Sequence, residues 1–201
     1  MKYRKIFLTH IVELNPLELK ASLVHGTGSF LSKTFKNFVN ANFFSGVITI
    51  GWLISDGVVL ASRHEGRKAW AKRKGTFIVY KDGNVEARAM YDWEIEEKLP
   101  RIHFCCQGFN LFPLDIASEG YNPSEVGYCT MAVSIGCNKT GKIIIAVRPK
   151  SDARQTQLTM KNLGCEGCAI RLDSGGSANL WIDGKPITST ARPLTNIIFW
   201  K

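Results

Sequence analysis

The chain has no apolar run of transmembrane length, and so nothing that reads as a membrane-spanning helix. It also lacks a convincing secretion leader. Met1-Lys2-Tyr3-Arg4-Lys5 begins basic, but His10, Glu13, Asn15 and Pro16 interrupt any apolar core and no small-residue cleavage site follows. A cytoplasmic location without membrane contact is therefore expected. A phosphate loop, a zinc-protease motif and a Ser-His-Asp spacing are all missing. His10, His25, His64 and His103 form no ligand pattern, and no metal or cofactor is called for. Carboxylates are scarce: 17 Asp and Glu against 26 Lys and Arg leave a formal charge of +9. That balance favours anionic partners such as phosphate esters, nucleotides, nucleic acid or an acidic polymer. Internal repeats, low-complexity tracts and linkers are absent, so residues 1–201 read as one domain, long enough to bury a core.

What is present fits a folded protein. Hydrophobic residues make up 45% of the chain and charged residues 21%, which excludes disorder. Six cysteines stand at positions 105, 106, 129, 137, 165 and 168. Cys165 and Cys168 form a C-x-x-C with no second pair to complete a zinc site, and Cys105-Cys106 are poorly spaced for shared ligation. Reduced, mostly buried thiols are expected, ahead of structural zinc or redox work. Much of the positive charge is local: Arg63, Arg67, Lys68, Lys72, Arg73 and Lys74 crowd one segment around Trp70. The segment reads as a solvated face, with a basic flap over an anionic substrate or a nucleic-acid patch as the functional alternatives.

Short β-like runs dominate. Lys5 to Leu14 and Leu17 to His25 read as strands broken at Asn15-Pro16, and Ser29 to Lys36 as a short helix capped by Ser29. Phe38 to Phe44 is a strand. Val47 to Ile54 and Val58 to Ser62 flank an Asp56-Gly57 hairpin, and Phe77 to Tyr80 and Val85 to Met90 flank another at Asp82-Gly83. Asp92 to Lys98 suits a helical turn or two. Thr130 to Cys137 and Lys142 to Val147 pair around Asn138–Gly141. Thr156 to Leu163 is the best helix, with Thr156 at its N-cap and Gly164 at its end. Ala169 to Leu172, Ala178 to Ile182 and Leu194 to Trp200 are the last strands. The pattern predicts an α+β fold: largely antiparallel or mixed sheet with a few short helices.

The most informative stretch is Asp173-Ser174-Gly175-Gly176-Ser177. Here a carboxylate, two hydroxyls and two glycines sit between one strand and the next. Glycines let backbone approach a ligand closely, and successive N–H groups in such a turn can hold an anion. The turn therefore suits a phosphate or sugar ligand.

With its surroundings, this stretch resembles the phosphodiester glycosidase family. The matching C-terminal block runs from Leu163-Gly164-Cys165 through Ala169–Ser177 and Trp181–Lys185 to Arg192-Pro193. A second block, Val39-Asn40-Ala41-Asn42-Phe43-Phe44, is similar to the family's Asn-Gly-Gly-Phe-Phe. A third, Thr130 to Val147, is similar to its Arg-Thr-Ala strand and hairpin, with Cys129 at the position of that Arg. Ser174 replaces the middle glycine of the turn. The likeness spans roughly residues 5–201.

The resemblance implies a hydrolase that cleaves the glycosidic bond of a sugar-1-phosphodiester or a nucleotide-sugar-like anionic substrate, releasing a phosphate monoester. It points to Asp173 as the catalytic carboxylate, with Asn40 beside it. Asn42, Thr130, Ser174, Gly175, Gly176, Ser177 and Arg192 are the expected contacts to sugar or phosphate. Asp56, Glu65 and Asp115 are candidates for a second carboxylate. Ser174 and Cys129 leave a second reading open: a binder that sequesters a nucleotide-like signal molecule without cleaving it, of the kind a phage could encode. Nucleic-acid binding through Arg63–Lys74 is a third.

Overall fold

The computed structural model describes residues 1–62, 72–126 and 128–201. In chain order come β1 (Lys2–Ile6), β2 (Thr9–Leu14), β3 (Lys20–Gly26), α1 (Gly28–Leu31), β4 (Asn37–Asn40), β5 (Phe44–Ser45), β6 (Ile48–Thr49), β7 (Leu53–Ser55) and β8 (Val58–Ala61). β9 (Lys74–Tyr80), β10 (Val85–Met90), α2 (Asp92–Lys98), β11 (Ile102–Asn110) and α3 (Pro123–Val126) follow. The remainder holds β12 (Thr130–Cys137), β13 (Ile143–Ser151), α4 (Ala153–Asn162), β14 (Ala169–Arg171), β15 (Leu180–Ile182), β16 (Lys185–Thr188) and β17 (Leu194–Trp200).

Two sheets face each other. The larger runs β1-β2-β13-β12-β14-β11-β7-β8, with β9 also paired to β11 and β10 to β9. The smaller runs β16-β15-β4-β17-β3, and β5 and β6 make a separate hairpin. Every pairing among the described residues is antiparallel, as short turns between neighbours require. The expected α+β class holds, without the parallel pairs that a mixed sheet would need. Val12, Phe77, Phe104, Val133, Ile145 and Ile170 from the large sheet meet Val39, Leu180 and Ile198 from the small one in the central core. The outer face of the large sheet is covered by α2, through Ile95 against Ile78 and Ile102, and by α4, through Met160 against Ile144 and Ala169.

Several boundaries differ from the sequence expectation. Lys5 to Leu14 is a hairpin, not one strand, because Phe7 takes a left-handed φ of 50° at the turn. The strand expected at Phe38 to Phe44 stops at Asn40, and Val47 to Ile54 is cut into β6 and β7 where Gly51 adopts φ 84°. Helix α1 is capped by Thr27, whose hydroxyl accepts the Phe30 N–H, and not by Ser29; it ends at Leu31. Helix α4 begins at Ala153, three residues before Thr156. Asp152 and Gln155 form a reciprocal capping box there, which spends Thr156 as a helical residue. β11 was not anticipated although it joins β14, β7 and β9 at the centre of the large sheet. Cys105, Cys106 and Cys165 are buried, Cys137 and Cys168 partly so, and Cys129 is exposed. No helix of the described residues is long and apolar enough to cross a membrane.

Candidate active site

The Asp173–Ser177 turn is where the chain leaves the large sheet and enters the small one. β14 ends at Arg171, a single 3-10 turn occupies Gly175–Ser177, and β15 starts at Leu180. Gly175 takes φ 65°, a conformation that carries little penalty only without a side chain. A Cβ there would also lie 3.1 Å from both the Thr130 and the Tyr128 hydroxyl oxygens. Beside Gly176 the nearest atom to such a Cβ is Arg192 Cδ at 4.0 Å, so this part of the turn is open.

Asp173 is nine-tenths buried at the corner. Its backbone N–H donates to Ala41 O at 3.2 Å, and its Oδ1 accepts the Ser174 N–H at 2.9 Å. Burial raises its carboxyl to a pKa of about 6, while the Ser177 hydroxyl, the Ser174 N–H and the Arg192 guanidinium pull the other way. Arg192 Nη1 donates to Ser177 Oγ at 3.1 Å, and the guanidinium rests 4.5 Å above the Phe44 ring. Thr190 Oγ1 donates to Gly176 O at 2.7 Å, so the segment after β16 is strapped onto the turn and brings Arg192 with it. Carboxylate, hydroxyl and guanidinium thus form one chain of contacts at the sheet-to-sheet corner, with Thr130 on the other side of Gly175.

Asn40 and Asn42 are both about 1% exposed and serve the backbone. Asn40 Nδ2 donates to Asp173 O at 2.6 Å, and its Oδ1 accepts the Asn179 N–H at 3.0 Å, tying both ends of the turn to β4. Asn42 Nδ2 donates to Ile50 O and Trp52 O, and its Oδ1 accepts the Gln107 N–H. Ser174 Oγ donates to Leu172 O and accepts from the Val133 N–H and Arg171 Nε, which makes it a brace between β12 and β14. The geometry therefore gives these three residues scaffold bonds.

Of the possible second carboxylates, Asp56 lies at the tip of the β7–β8 hairpin, 3.1 Å from Lys20 Nζ, and Asp115 accepts the Ser118 N–H in its own turn. Glu65, His64 and Arg63–Ala71 of the basic segment lie outside the described residues.

Sequence reasoning missed three buried charges, Lys74 among them although its segment reads as a solvated face. Arg171 is fully buried, with Nε on Ser174 Oγ at 3.3 Å and Nη2 on Tyr128 O at 3.4 Å, while Nη1 has no partner. Burial lowers its pKa to about 10. Glu119 is 2% exposed and accepts the N–H groups of Asn110 and Gly75. Burial holds its carboxyl up at about 7, against those bonds and the nearby Lys74. Lys74 Nζ donates to Glu119 O and lies 4.3 Å above the Tyr121 ring; burial lowers its pKa to about 8. Only an Arg inside an apolar strand hinted at the first. Glu119 sits in an ordinary loop sequence.

No protein-family model matches the chain, and no curated protein does. Solved structures share its fold. It covers 76% of the zebrafish N-acetylglucosamine-1-phosphodiester alpha-N-acetylglucosaminidase catalytic domain, which that structure shows auto-inhibited by its pro-peptide. There 96% of this chain superposes at a TM-score of 0.77 and 18% identity. A hypothetical protein from Synechocystis matches 98% of the chain over 60% of its own length, at TM-score 0.72 and 11% identity. A Burkholderia pseudomallei protein described as exported matches 96% of the chain over 73% of its own, at TM-score 0.63 and 11% identity. These likenesses establish the fold.

Proposed function

We propose that this chain is a hydrolase that cleaves the glycosidic bond of a sugar-1-phosphodiester or a nucleotide-sugar-like compound. The observation that carries the reading is the corner itself: a buried carboxylate, Asp173, bonded to Ser177, whose hydroxyl also accepts from Arg192, on an open glycine turn. The shared fold with a glycosidase catalytic domain supports it. Asp173, ionised above a pH of about 6, serves as nucleophile or as the base that takes a proton from water at the anomeric carbon. Water adds its hydroxyl to that carbon, the carbon–oxygen bond to phosphate breaks, and the phosphate leaves with the electron pair. Arg192 and the Gly175 and Gly176 N–H groups stabilise the departing oxygens. Asn40 acts by position, since its amide fixes the carbonyl of Asp173.

Incubation with UDP-GlcNAc and simpler sugar-1-phosphodiesters, followed by mass spectrometry, tests this. Free sugar should accumulate, and Asp173→Asn should stop it; turnover unchanged in that variant removes Asp173 from the chemistry. The second reading, binding without cleavage, is favoured by the scaffold bonds that occupy Asn40, Asn42 and Ser174. Intact compound recovered from the denatured complex supports it.

A further inference from the structure

The fold divides the C-x-x-C of the sequence. Cys165 is buried under α4 with Met160 and Ala169, on the outer face of the large sheet. Cys168 packs against the central core, on the opposite face. Its neighbour there is a cysteine from another strand. β12 and β14 pair Ser134 with Arg171, Ile135 with Ile170 and Gly136 with Ala169. One step further the Cys137 N–H donates to Cys168 O at 2.9 Å, so these two cysteines stand opposite each other. Residues so placed have Cα atoms about 4.5–5.5 Å apart and side chains on one face. A disulfide needs Cα atoms roughly 4.4–6.8 Å apart. The alternation of faces agrees. Ile135 and Ile170 lie in the central core, Gly136 and Ala169 face α4, and Cys137 and Cys168 return to the core side.

The two thiols are already in contact. A hydrogen bond with the Cys168 thiol holds the Cys137 thiol below its ordinary pKa, against burial, and the same bond pushes Cys168 up. Cys137 Sγ also reaches Asn138 O at 3.5 Å. Both cysteines are only partly buried, which leaves them open to a small oxidant. The other four lack this combination. Cys105 and Cys106 are fully buried, and burial raises both thiols. Burial likewise raises Cys165, to about 12. Cys129 is exposed but precedes β12, at the other end of that strand from Cys137.

We propose that Cys137 and Cys168 are a reversible disulfide site, oxidised by hydrogen peroxide, that clamps β12 to the start of β14. The Cys137 thiolate attacks one peroxide oxygen. The O–O bond breaks and hydroxide leaves with the electron pair, giving a sulfenic acid. Cys168, no longer facing the thiolate that held its proton, ionises and attacks Cys137 Sγ. The S–S bond forms and the sulfenic oxygen departs as hydroxide. Each hydroxide takes up a proton released by a thiol. Two thiols are thus oxidised to one disulfide, and one peroxide is reduced to two waters. The link closes the stretch of chain that holds β13 and α4. Neither step involves Asp173, so the site is independent of hydrolysis.

Treatment of Cys129→Ser protein with hydrogen peroxide, followed by non-reducing mass spectrometry, tests this. The protein should lose two hydrogen atoms, fragment ions should place the link between Cys137 and Cys168, and dithiothreitol should reverse it. Oxidation should raise the melting temperature by roughly 5–10 °C. Cys137→Ser and Cys168→Ser should each abolish both the link and the rise, whereas Cys165→Ala should abolish neither. A link between Cys165 and Cys168 overturns the proposal, as do thiols that stay reduced or pass directly to sulfonic acid. A Cys137–Cys168 link that leaves the melting temperature unchanged overturns the clamp.

Discussion

At the scale of single residues, two buried charges make opposite demands. Asp173 must be ionised to act as nucleophile or base, and burial resists that ionisation up to a pH of about 6. We therefore expect kcat/KM to fall about ten-fold per pH unit below 6, read from initial rates between pH 4.5 and 8. A flat profile across that interval would assign the chemistry elsewhere. Arg171 bears a different cost: a guanidinium buried without a carboxylate, one nitrogen unpaired. Its two contacts are long and go to neutral oxygens. Arg171→Met keeps the volume and removes the charge. It should raise stability by about 1–3 kcal/mol, measured as a higher urea midpoint at unchanged m-value. A loss of stability would show that the Ser174 and Tyr128 bonds outweigh the desolvation of the cation.

At the scale of elements, caps and turns decide where strands and helices stop. Asp152 begins α4 by accepting the Gln155 N–H at 2.7 Å. Asp152→Ala should cost about 1 kcal/mol, seen in thermal denaturation, whereas the expected cap, Thr156, bonds back to Asp152 O and to the Ser151 hydroxyl and caps no N–H. Elements with a clean alternation or clear turn residues were legible at their observed bounds: Val85–Met90, Asp92–Lys98, Thr130–Cys137 and Leu194–Trp200. β11 was not, because nearly all of Ile102–Asn110 is buried on both faces and a doubly covered strand shows no period of two. The turn at Asp173 was legible because glycines advertise backbone geometry. Arg171, Lys74 and Glu119 were not, because what they meet depends on distant chain: Glu119 finds Gly75 across 44 positions of sequence.

At the scale of the whole molecule, the buried ionisable groups set how stability follows pH. Glu119 titrates near 7 in the folded protein against an ordinary value of 4.5, and Asp173 near 6 against 3.8. A carboxyl raised in this way contributes stability that is complete below its unfolded pKa and is lost as pH rises through the folded one. Both groups therefore weaken the fold between about pH 4 and 7. Lys74 is displaced downward, to about 8 from 10.5. Its contribution is present above 10.5 and lost as pH falls through 8. The two trends meet, so stability should pass through a shallow minimum between pH 7 and 8. Each arm is worth on the order of a few kcal/mol, the acidic one more because it holds two groups. Urea titrations from pH 4.5 to 10.5 would trace the curve, and Glu119→Gln should remove that residue's share of the acidic arm, leaving the share of Asp173 and the rise above pH 8. A maximum at neutral pH instead would mean that Lys74 and Glu119 stabilise each other as an ion pair by more than their shared burial costs.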